Sequence, residues 1–79
     1  MPRFRKKPVV IEAVRLSRRI TVHTLEGDMA GNPGDWLITG VEGEQYVCRD
    51  SVFRATYEPV DDEARALWDA PLPEAPDAS

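Results

Sequence analysis

The sequence predicts a small, mainly β fold of the α+β type: a strongly bent antiparallel sheet or barrel-like roll of about five or six strands, with one short helical turn and a C-terminal helix. Three observations carry that expectation. Short runs rich in β-branched and aromatic residues alternate with glycine- and proline-marked breaks between residues 9 and 60. The block 32–59, NPGDWLITGVEGEQYVCRDSVFRATYEP, reads as turn, strand, glycine turn, strand, helical turn and a last short strand. After Pro59 the composition changes to acids, alanines and prolines. The organisation expected is one β-rich domain over residues 1–60, then an acidic helix and a proline-rich tail over 61–79.

Residues 9–16 (VVIEAVRL) form the first predicted strand, and apolar groups on both of its faces predict a central position in the sheet. After the basic link Ser17-Arg18-Arg19, residues 20–25 (ITVHTL) form a second strand. Glu26-Gly27-Asp28 is a hairpin turn, and the chain returns through Met29-Ala30. In Gly31-Asn32-Pro33-Gly34-Asp35, Pro33 presets the first corner of a turn and Gly34 accepts positive φ. Residues 36–40 and 45–49 make a hairpin with Gly43 at its left-handed position. Asp50 is placed to cap a helical turn over 50–56 through its carboxylate, with Phe53 and Tyr57 sharing the side that presses on the sheet. A helix over 62–69 opens with acids that suit its dipole and puts Ala64, Leu67 and Trp68 on one stripe. The end beyond it, with Pro71, Pro73 and Pro76, is expected to be disordered.

At 79 residues the chain has a marginal core, and reinforcement is expected from elsewhere. One cysteine, Cys48, excludes an internal disulfide, and one histidine, His23, excludes a four-ligand zinc site; no cofactor is expected. Homo-oligomerisation is the remaining supplement. No signal-peptide core and no membrane-spanning run is present, so the expectation is a soluble, cytoplasmic protein with no membrane partner and a reduced Cys48.

The net charge of −4 conceals an asymmetry. Arg3, Arg5, Lys6, Lys7, Arg15, Arg18 and Arg19 stand against Glu12 alone in residues 1–20, whereas residues 21–60 and 61–79 each carry a net −5. Either the two signs neutralise each other within or between subunits, or the basic end forms an anion site. A pI near 4.8 argues against duplex nucleic acid as a partner.

The residues supply no catalytic constellation, and a non-enzymatic protein is expected. His23 reads as a strand-surface histidine and Cys48 as a small core residue. The glycines match no phosphate-cradling loop. Binding is the better prospect: Trp36 or Tyr46 could stack on a nucleobase while Arg5, Lys7, Arg49 or Arg54 hold phosphate. The competing reading makes the aromatics core, the arginines solvated and the basic N-terminus a solubilising lead. Leu67 and Trp68 either fold back on their own sheet or anchor an oligomer interface.

The opening Phe4-Arg5-Lys6-Lys7-Pro8-Val9-Val10-Ile11-Glu12-Ala13 and the later Pro33-Gly34-Asp35-Trp36-Leu37-Ile38 resemble a widespread group of short phage and prophage proteins, which start with an RKKPVVIEA strand and carry a PGD-aromatic hairpin. The likeness continues through Gly40-Val41-Glu42-Gly43-Glu44 to Tyr46, Cys48, Phe53, Tyr57 and Glu58, and covers residues 3–60. This chain departs from it in having only Ser17-Arg18-Arg19 where relatives carry a longer insert, and Val47 where many have proline. The resemblance implies an accessory protein acting by stoichiometric binding. By analogy with other small phage proteins, that includes an oligomeric sponge for a nucleotide-derived signal of host immunity, in the host bacterial cytoplasm. The alternative is a protein–protein module, either a virion component or an inhibitor of a host protein.

Overall fold

The computed structural model describes residues 1–5 and 7–71. Lys6 and the proline-rich end expected to be disordered, from residue 72 onward, lie outside the described residues. Five strands, β1 (Glu12–Arg15), β2 (Ile20–Thr24), β3 (Gly27–Gly31), β4 (Trp36–Thr39) and β5 (Gln45–Cys48), precede two helices, α1 (Asp50–Thr56) and α2 (Asp62–Asp69). The fold is therefore a small, mainly β member of the α+β class. Among the described residues no helix is long and apolar enough to cross a membrane.

The strands form two antiparallel sheets: β1-β4-β5 with β4 in the middle, and the hairpin β2-β3, which leans on β5. No closed barrel results, and the expected single bent sheet is divided. The division falls at Ser17-Arg18-Arg19, an exposed link that carries the chain away from β1, so that β2 finds its partner in β3. Gly31 brings β3 close against Leu16 and against Val47 of β5. A Cβ there would sit 2.6 Å from Leu16 Cδ1 and 3.1 Å from a Val47 methyl.

The first strand is shorter than the sequence pattern predicts, and it lies at an edge rather than in the centre. Register explains the shortening: Glu12 pairs with Thr39, the last residue of β4, and the chain then turns through residues 40–43 into β5. Residues 9–11 consequently have no strand to pair with. At the other end the ladder is prolonged, because Leu16 N–H donates to Asp35 C=O (2.8 Å) and Gly34 N–H to Leu16 C=O (2.9 Å). Gly34 has φ +93°, the left-handed conformation the turn requires.

Strand alternation decides where the core sits. Ala13, Ile38 and Tyr46 are aligned across the sheet, as are Arg15, Trp36 and Cys48. That face is covered by Phe53 of α1 and by Leu67 and Trp68 of α2, around Ile38 at 0% exposure. Thus α2 packs on the same core as the strands. Ile38→Ala should lower the unfolding free energy by about 3 kcal/mol, read from the urea midpoint. Val14→Ala, at an exposed position of the opposite face, should shift it by less than about 0.5 kcal/mol.

Candidate functional site

The side chains with the richest chemistry converge on one carboxylate oxygen. Asp50 Oδ1 accepts from Trp36 Nε1 (2.8 Å) and Arg54 Nε (2.9 Å), and Arg15 Nη2 lies 3.2 Å away. Both guanidiniums reach further. Arg15 donates to Gly34 C=O and to Ala70 C=O, and Arg54 donates to Trp68 C=O. The last two carbonyls lie at the C-terminal end of α2, which has no basic residue of its own in its last turn. The two arginines supply the positive charge that end favours. Arg15 comes from β1, Trp36 from β4 and Asp50 with Arg54 from α1, so three elements meet at the carboxylate and the arginines tie in the end of α2.

Asp50 therefore does not cap α1. Arg49 holds the cap position without a side-chain bond, and the Asp50 carboxylate is turned inward to stronger, charged donors. Burial raises the Asp50 pKa, but hydrogen bonds from Trp36 and Arg54 and the charges of Arg15 and Arg54 outweigh it and leave the value below normal.

An aromatic stack continues from this centre. Trp36 lies parallel to Phe53, with ring centroids 4.2 Å apart, and Phe53 meets Tyr57 at 5.0 Å and Trp68 at 6.3 Å. Arg15 Cζ is 5.5 Å from the Trp36 ring centre and Arg54 Cζ 4.7 Å from that of Trp68. Trp36 is 2% exposed. Its ring and its N–H are both engaged, so it cannot receive a nucleobase as the sequence suggested. Arg54 is likewise committed, to Asp50 and α2. Leu67 and Trp68, half-buried, pack against their own core.

The remaining candidates lie apart. Arg5 and Lys7 belong to an exposed segment ahead of β1, and Arg49 is exposed after β5. Arg15, Trp36 and Cys48 are aligned across the sheet, which puts Arg49 at the far edge, by the end of β1 remote from Lys7. The three cations do not converge within one chain. Tyr46 is half-buried, with its hydroxyl 3.3 Å from that of Tyr57. That hydrogen bond, then burial, push its pKa up to about 12. Burial, followed by the charge of Asp35, raises the Cys48 thiol, which keeps it protonated and unreactive near neutrality. His23 is exposed on the hairpin, with Nδ1 2.6 Å from Asp28 Oδ1. Among the described residues no group of three or more His, Cys, Asp or Glu is placed to hold a metal ion.

What sequence reasoning missed is a groove of about 1090 Å³ between residues 7–14 and residues 56–64. Its apolar lining includes the half-buried Leu67 and Trp68, the exposed Val9, Val10 and Val60 and the edges of the buried Trp36 and Phe53, and its charged lining is Lys7 against Glu12, Glu58, Asp61 and Glu63. Asp61 caps α2 by accepting from Ala64 N–H (2.7 Å), whereas Glu12, Glu58 and Glu63 have no partner among the described residues. Arg15 was also missed as a structural centre. Its signal is a charge at the fourth position of the alternating set Val9, Ile11, Ala13, Arg15. No family model, curated protein or solved structure matches the chain.

Replacing the Asp50 carboxylate leaves Arg15, whose side chain is 7% exposed, without its counter-charge. Asp50→Asn should cost roughly 2 to 3 kcal/mol at pH 7 by chemical denaturation. A lowered folded pKa stabilises fully above the ordinary value of 3.8 and is lost as pH falls through the folded one. Thermal scans should therefore show the wild-type Tm falling below about pH 4 more steeply than that of the variant. For the tyrosine pair, Tyr57→Phe should bring the Tyr46 titration, followed by ultraviolet absorbance, down from about 12 towards 10.

Proposed function

We propose that the protein is a non-enzymatic binding module whose groove takes an extended polypeptide segment, and that it serves as a phage or prophage accessory factor. The first part is supported by one observation: an apolar floor rimmed by Glu12, Glu58, Asp61 and Glu63 against Lys7 alone. An anionic ligand such as a nucleotide would be repelled there. A polypeptide with apolar and basic residues meets both an apolar surface and opposite charge. The accessory role rests on the sequence resemblance.

A second reading, sequestration of a nucleotide-like anion, keeps support from Arg5, Lys7 and Arg49, which are exposed and make no ion pair among the described residues. Because they do not converge in one chain, this reading requires cations from different subunits of an oligomer.

Fluorescence anisotropy separates the two. A labelled ten-residue peptide rich in arginine and phenylalanine should bind, and Glu58→Lys with Glu63→Lys should weaken it by at least about tenfold. An acidic peptide of equal length should not bind. Binding of a labelled ATP or cyclic dinucleotide with no binding of the basic peptide would move the assignment to the second reading.

A further inference from the structure

Three features of the N-terminal segment remain unaccounted for by the monomer. Phe4 is 97% exposed, Val10 71% and Val14 53%. The apolar residues on both faces that predict a central strand belong to a segment with one free edge at β1 and no partner at all over residues 9–11. The segment's own basic residues Arg3, Arg5 and Lys7 make no ion pair among the described residues. An acid-rimmed apolar groove begins where that segment ends, with residues 7–14 as one of its walls.

We propose that two copies of this chain exchange N-terminal arms, the first residues of each lying in the groove of the other. The inference rests on the polypeptide-binding reading of the groove. Charge selects the occupant: the arm carries Arg3, Arg5, Lys6 and Lys7, and the groove carries unpartnered Glu12, Glu58 and Glu63. Strand alternation puts Phe4 on one side and Arg3 with Arg5 on the other, so the ring meets the floor while the guanidiniums meet the rim. The chain's own arm is a poor occupant. It forms one wall of the groove, and in the structure its residues 1–5 stand exposed, with Phe4 97% exposed, rather than folded into the groove. A second copy related by a two-fold axis needs no reversal, and the exchange closes on itself.

Light scattering on the full chain tests the proposal. The wild type is expected to run at about twice 8.9 kDa at ~50 µM. Arg5→Glu with Lys7→Glu, and separately Glu58→Lys with Glu63→Lys, should each give monomers, all four positions being exposed. Mixing the two variants should restore the dimer, since each arm then finds a groove of opposite charge. Restoration also excludes misfolding as the cause of dissociation. The arm peptide MPRFRKKPVV should convert wild-type dimers to monomers. A wild type that stays monomeric at ~100 µM, or a dimer that survives both charge reversals, overturns the exchange. If that monomer still binds the basic peptide, only the choice of occupant fails; if it does not, the groove reading fails with it.

Discussion

One oxygen, Asp50 Oδ1, holds β1, β4 and α1 together and, through the arginines that approach it, fixes the end of α2. In a chain of 79 residues total stability is on the order of 5 kcal/mol. A single charge-assisted hydrogen bond contributes about 1.5 to 3 kcal/mol, so this centre is comparable with the whole margin. It also sets geometry that apolar burial leaves free. With its N–H held by Asp50, Trp36 has one ring orientation, and the Phe53 stack and the seat of Trp68 follow from that orientation.

That commitment reshapes the functional argument. Aromatic rings beside guanidiniums are what a nucleotide site needs, and the chain places such pairs close together: Trp36 with Arg15 and Trp68 with Arg54. In both, the groups satisfy one another inside the fold. Chemistry available to a partner is therefore what the brace does not consume: the groove, with its acidic rim, and the cations of the N-terminal arm.

How far the sequence discloses this depends on the range over which each feature is decided. Both helices fall where the sequence pattern puts them, because the Phe53–Tyr57 spacing in α1 and the acids that open α2, with Asp61 accepting from Ala64 N–H, act within a few residues. The β4-β5 hairpin and the turn at Gly34 are local too. The partition into two sheets is not, since it turns on which strand β2 meets after leaving β1. Nor is the role of Asp50. A cap was the local solution, and Trp36, 14 residues away, together with Arg15 offered better donors. The groove joins residues 7–14 to residues 56–68 and has no local signature in either segment.

The N-terminal segment presents the opposite case, a local pattern that the monomer leaves unused. Apolar residues on both faces of residues 9–16 describe a central strand, and β4 pairs with only one of its edges. Exposed apolar edges ordinarily invite unlimited association, and the devices that limit it are present here. Pro8 lacks the N–H a continuous ladder would need, and Arg5, Lys6 and Lys7 repel a parallel copy of themselves. Together they disfavour stacking of like on like and leave an acidic surface as the complementary partner. The proposed arm exchange accords with this composition, since it gives a closed pair with a groove rather than an open run of strands.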